Sequence, residues 1–170
     1  MFKNRTPLIL TLIFSLVLGC KNEKSEFENQ LIVKLGLIIL EDDELELFYN
    51  TALSPGFTVD NKDKKKITGS DTIQNIFFVL RDDVYPQRLR IDFGNNRGQK
   101  QIEVKEIKLQ YNQAFKSFTK EEIKLFFKTN EYFDFDFETL KGIGLEKNGR
   151  YDPYLESMNL SSFINNLILY

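Results

Sequence analysis

Hydrophobic residues recur at every second position through much of this chain. In "LIVKLGLIIL", residues 31–40, Leu31, Val33, Leu35, Leu37 and Ile39 share one face, which predicts a strand. After the acidic turn "EDDE", the run "LELFYN" sets Leu45, Leu47 and Tyr49 opposite Glu46 and predicts a second strand. "TALSPGFTVDNKDKKKITGSD" is rich in breakers and carries a lysine run, so it reads as a long solvated connection. "IQNIFFVL" is a dense apolar run of the kind expected in a central strand.

The clearest unit is "QRLRIDFGNNRGQKQIEVKEIKLQYN". Leu89, Ile91 and Phe93 point one way, and Arg88, Arg90 and Asp92 the other. "GNNRGQ" supplies Gly and Asn residues that tolerate positive φ, and it predicts a hairpin loop. The return strand alternates Ile102 and Val104, then slips one place to Ile107, Leu109 and Tyr111. If both groups face one core, a β-bulge lies at Lys105-Glu106.

The period changes in "SFTKEEIKLFFKTN". Thr119 and Glu122 form a capping-box pattern ahead of a short helical face of Ile123, Phe126 and Phe127. "EYFDFDFE" returns to period two. In the last segment Leu160, Phe163, Ile164, Leu167 and Ile168 have helical spacing, and a final strand fits the same stretch. There are no internal repeats and no second domain, so residues 31–170 read as one domain.

Many strands with one or two short helices predict an all-β fold, an antiparallel β-sandwich. The stretch from "ELFYN" through "RLRIDFGNNRGQKQIEVKEIKL" resembles the small jelly-roll modules of bacterial envelope and glycan-handling proteins. The nearest named forms are carbohydrate-binding-module-like and galactose-binding-like sandwiches. The resemblance implies a jelly-roll-like sandwich and a binding role; such folds host unrelated functions.

The first residues follow a different logic. Lys3 and Arg5 precede Pro7 and an apolar core from Leu8 to Leu18, the three-part pattern of a secretory signal. That core is shorter than the roughly 20 residues that span a bilayer. Val17-Leu18-Gly19-Cys20 resembles the bacterial lipoprotein lipobox, although Leu18 is bulkier than the residue usual before that glycine. The resemblance implies cleavage of residues 1–19, lipidation of Cys20 and acylation of the new amino terminus. Two or three acyl chains make a stable anchor, at about 0.8 kcal/mol per buried CH₂. Residues 20–30, "CKNEKSEFENQ", then form a polar tether. Lys21 stands where an Asp commonly retains lipoproteins at an inner membrane, so the resemblance favours an outer membrane, with periplasmic or surface exposure left open.

Composition narrows the chemistry. Cleavage takes 19 of 170 residues and leaves 151; removing Lys3 and Arg5 leaves 21 basic against 25 acidic residues, a formal charge of −4. A nucleic-acid partner is therefore not expected. The chain has no His, and its single Cys is taken by the anchor. Histidine-dependent triads, cysteine nucleophiles and disulfides are excluded, and no cofactor or metal is expected. The 16 Phe and 7 Tyr must supply the core.

Three groups remain as candidate sites. Arg88, Arg90, Asp92, Asn95, Asn96 and Arg97 offer planar groups that pair with sugar hydroxyls or acidic glycans, or else a balanced polar face. Tyrosines come second, because the chain has no Trp to serve as a sugar platform. Tyr85, Tyr111, Tyr151 and Tyr154 are available, and "GRYDPYL" places Tyr151 and Tyr154 around Asp152. The third group, Asp134 and Asp136, has a strand spacing that overlaps paired glycosidase carboxylates. That column or "EDDE" could also ligate Ca²⁺, or serve as solvated acid.

The sequence thus leads to a lipid-anchored envelope lipoprotein without catalytic activity. Its expected partners are the membrane, through its lipid, and a glycan. The alternatives are a protein of an envelope assembly as partner and, behind that, a carboxylate-based glycan hydrolase.

Overall fold

The computed structural model describes residues 28–169. The signal segment, Cys20 and most of the tether lie outside the described residues. Within them the chain is an antiparallel β-sandwich with two short helices. The first sheet centres on β1 (Leu31–Ile39), which pairs with β4 (Ser70–Val79) and β6 (Ile102–Tyr111). It continues from β6 to β10 (Lys141–Gly144) and β9 (Phe133–Asp136), while β7 (Ala114–Ser117) also pairs with β6. The second sheet runs in the order β3 (Lys62–Ile67), β2 (Asp43–Asn50), β5 (Arg88–Asp92), β13 (Tyr154–Ser157) and β8 (Phe127–Thr129). A separate hairpin joins β11 (Glu146–Lys147) to β12 (Arg150–Tyr151).

The inward faces are those the period-two pattern marks. Val33, Leu35, Leu37 and Ile39 from β1, Leu45 and Leu47 from β2, Leu89 and Ile91 from β5 and Leu109 from β6 are almost wholly buried in one shared core. Burying such side chains supplies the main folding drive, at about 1.5–3 kcal/mol each. Helix α1 (Lys120–Phe126) begins at Thr119, whose hydroxyl accepts from the Glu122 N–H while the Glu122 carboxylate accepts from the Thr119 N–H. The predicted capping box is therefore present. The C-terminal segment is helical, α2 (Ser161–Ile168), with Ile164 and Leu167 buried. The bulge is also where the spacing places it: Gly36 pairs with Glu106 and Leu37 with Val104, skipping Lys105.

Four expectations are corrected. β5 and β6 are not a hairpin; they belong to different sheets, and residues 93–101 cross between the layers. Alternation alone does not distinguish the two arrangements, because both strands bury the same faces either way. What selects the crossing is a clasp at the loop. Gly94 adopts φ 89° against the Asp43 carboxylate, which accepts from the N–H groups of Asn95 and Asn96. Gln99, itself buried, accepts from the Leu40 and Glu41 N–H groups and donates to the Glu41 carbonyl.

Second, β4 is an edge strand, with Ile73 and Phe77 about half exposed. Third, the lysine run is β3, an edge strand held to β2 by cross-strand charge pairs. Fourth, Phe127 begins β8 and does not extend α1.

Candidate functional site

The outer face of the second sheet gathers much of the predicted polar cluster. Arg88, Arg90 and Asp92 alternate outward from β5, and β13 brings Tyr154 opposite Asp92 and Glu156 opposite Arg90. Arg90 binds Asp92 through both ends of its fork, Nε to Oδ1 at 2.6 Å and Nη2 to Oδ2 at 2.7 Å. The same Nη2 reaches Asp152 Oδ1 at 2.9 Å. Its guanidinium carbon lies 3.9 Å from the centroid of the Tyr154 ring, a close cation–π stack. Arg88 pairs with the buried carboxylate of Glu156 and donates from Nε to the Ser157 carbonyl at 3.3 Å. On the other flank Lys62 and Lys64 both bind Glu46.

The electrostatics follow from this packing. Burial pushes the Asp92 carboxyl up to about 6 despite its guanidinium partner, and the Asp152 and Glu46 carboxylates add to the rise. Burial also opposes the charge on Glu46, but Lys64 and Lys62 outweigh it and hold that carboxyl below its ordinary value. The face is a neutralised ladder. A sugar hydroxyl entering it would have to displace a carboxylate from Arg90 or the guanidinium from Tyr154.

The other predicted residues sit apart. Asn96 is spent on the loop clasp, donating from Nδ2 to the Asp42 carbonyl and accepting from the Gly98 N–H. Asn95 is exposed, and its N–H is held by Asp43. Arg97 pins the β11–β12 hairpin through Glu146 and the Gly149 carbonyl, both at 3.1 Å. Tyr151 is buried, with its hydroxyl unpartnered against Gly144, and burial raises its pKa. Tyr85 packs edge-on against Tyr111.

The remaining acids are largely occupied by backbone. Asp136 accepts from the Glu138 N–H and the Thr139 hydroxyl, which holds its carboxyl low, while Asp134 is exposed. Asp42 accepts from the Gly69 N–H, and Asp43 from its own turn and the clasp. Among the described residues no group of three or more Asp, Glu, His or Cys side chains is placed to hold a metal.

A concave feature lies on the other sheet. An open trough of about 510 Å³ crosses its outer face, with Gly36 as floor, Ile73 and Asn75 of β4 along one side, and Lys105, Glu106 and Ser117 along the other. The missing side chain at Gly36 and the bulge at Lys105 create it together. Lys34 binds Glu106 at 2.6 Å, and this pair, with Ser117, holds the Glu106 carboxyl low. Phe77, Phe115 and Ile143 stand exposed elsewhere on the same face. A glycine inside an otherwise apolar strand was the available sequence signal for this trough.

Comparison with protein-family models, curated proteins and solved structures finds no match to this chain. Among the described residues no helix is long and apolar enough to cross a membrane.

Proposed function

We propose that this protein is a lipid-anchored, non-catalytic interaction module of the bacterial cell envelope, and that its partner is a protein. The anchor reading rests on Gly19-Cys20 behind a short apolar signal, and Lys21 favours the outer membrane. The observation that carries the partner reading is a difference between the two outer faces. Polar groups on the second sheet are already paired with one another, whereas the first sheet presents exposed Ile73, Phe77, Phe115 and Ile143 around the Gly36 trough. Non-catalytic action is supported by the absence of His and by acids committed to ion pairs and turns.

Two measurements test this reading. Fatty-acid labelling of the full chain in a bacterial host is expected to be lost in Cys20→Ala. Affinity capture from envelopes is expected to recover a protein that Phe115→Asp with Ile143→Asp loses and Arg90→Ala retains.

A second reading, a glycan ligand, is favoured by the convergence of Arg88, Arg90, Asp92, Asp152 and Tyr154 on one face. Calorimetric titration with neutral and acidic envelope polysaccharides separates the two. Saturable heat abolished by Arg90→Ala would make the glycan the ligand and set the protein-partner reading aside.

A further inference from the structure

The geometry points to a second copy of this chain as the occupant of the β4 edge, with the two β4 strands pairing antiparallel about a two-fold axis at Asn75. This goes beyond the proposed function, because it rests on the sheet edge and requires neither the lipid nor another protein.

β4 hydrogen-bonds to β1 on one side, and among the described residues no strand pairs with its other side. The hydrogen-bond parity is fixed by the Leu80 N–H, which donates to the Leu31 carbonyl at 2.9 Å. Leu80 and Leu31 are therefore a hydrogen-bonded pair, and so are Phe78 with Val33, Ile76 with Leu35 and Gln74 with Leu37. By alternation, the N–H and carbonyl groups of Ile73, Asn75, Phe77 and Val79 point away from β1 along the open edge. The side chains of these same residues stand on the outer face, since Ile76 and Phe78 fill the core.

An added strand thus meets backbone groups and outward side chains at the same positions. A two-fold axis at Asn75 puts Ile73 opposite Phe77 of the second copy, twice. Such aromatic–β-branched cross-strand pairs are favourable. Asp71, the only charged residue in β4, lies past the register irregularity that precedes Gln74, so no like charges meet beside the axis. The pairing is isologous and closes at two copies. The two first sheets become one continuous sheet, by the same strand addition that sheet edges use to take up peptides. The lysine-rich β3 cannot do this with itself, because an antiparallel partner would set Lys64, Lys65 and Lys66 against other lysines or Asp63.

The axis predicts contacts that cross-linking can read. Asn75 and its copy would have Cα atoms about 5.5 Å apart, within disulfide range. Ile73 and its own copy would be about 13 Å apart, since four residues at ~3.3 Å each separate them. The full chain, with Cys20→Ser so that the introduced thiol is the only one, is studied in non-denaturing detergent under mild oxidation. Asn75→Cys should give a disulfide-linked dimer and Ile73→Cys alone should not. A mixture of Ile73→Cys and Phe77→Cys chains should give the mixed dimer.

Sedimentation of the same chain without an introduced cysteine should show a monomer–dimer equilibrium. Phe77→Lys, at an exposed position, should weaken it on the order of tenfold, through loss of two cross-strand pairs. Val59→Lys, in an exposed loop, should leave it unchanged. A monomer at all concentrations, or cross-linking that is equal at positions 73 and 75, would overturn the inference. Cys20 is absent throughout, so either result leaves the lipid-anchor reading to its own labelling test and the partner reading to capture.

Discussion

β3 and β4 follow one another with only Thr68 and Gly69 between them, and each is the edge of a sheet, yet their chemistry is opposite. β3 reads Lys-Asp-Lys-Lys-Lys-Ile and ties Lys62 and Lys64 to the glutamates of β2. β4 carries one charge, Asp71, and exposes Ile73 and Phe77. An open edge offers unpaired backbone groups to any passing strand, and lysines are a recurrent way to block it. Among the described residues one edge is blocked and its neighbour is left open. The same division extends over the outer faces, one a closed lattice of ion pairs and stacked rings, the other interrupted by exposed apolar groups and the Gly36 trough.

The largest test of this contrast is Arg90→Ala. It strips Asp92 of its partner, leaves Asp152 with Arg150 alone and uncovers Tyr154, and should cost about 3 kcal/mol in urea denaturation. A cost below about 1 kcal/mol would mean the lattice is ornamental to folding and its groups are available to a ligand. Next comes Asp43→Ala, which removes the acceptor shared by the Glu44, Asn95 and Asn96 N–H groups. About 2 kcal/mol is expected, which would confirm that the loop residues near Arg97 are structural.

A smaller effect is tied to pH. Because the folded Asp92 carboxyl titrates near 6, above the unfolded value, its contribution is full below the unfolded pKa and is lost as pH rises through 6. Relative to the wild type, Asp92→Asn should therefore gain about 1 kcal/mol between pH 5 and 7, read from urea midpoints. Smallest is Phe115→Ser on the opposite face. It should change stability by no more than about 0.5 kcal/mol, since its ring is largely exposed.

Which face of each strand enters the core was legible residue by residue: Leu31 to Ile39, Leu45 to Tyr49 and Leu89 to Phe93 are buried where the alternation places them. So were the Thr119 cap and the bulge beside Glu106, because both are local. Strand partnership was not. β5 and β6 bury the same residues whether they pair or cross the sandwich, and the choice lies with Asp43, about fifty residues before the loop it holds. β4 looked central because Ile73 and Phe77 add to its apolar count while standing in solvent. β3 has only Ile67 as an apolar residue and becomes a strand through Glu44 and Glu46.

The candidate site divided in the same way. Outward alternation on β5 was readable, and it put Arg88, Arg90 and Asp92 together. That Tyr154 would reach this face while Tyr151 turned inward depended on which strand β13 joins. The trough needed a glycine on β1 to meet a bulge on β6, a coincidence of two strands about seventy residues apart.

Amide hydrogen exchange along β4, measured at low and high protein concentration, tests the open edge most directly. In dilute solution the Gln74, Ile76 and Phe78 N–H groups, bonded to β1, should exchange slowly and those of Ile73, Asn75 and Phe77 fast. At high concentration all six should become slow, as the second copy takes up the outward groups. Alternating fast and slow exchange that persists unchanged at every concentration would contradict the account.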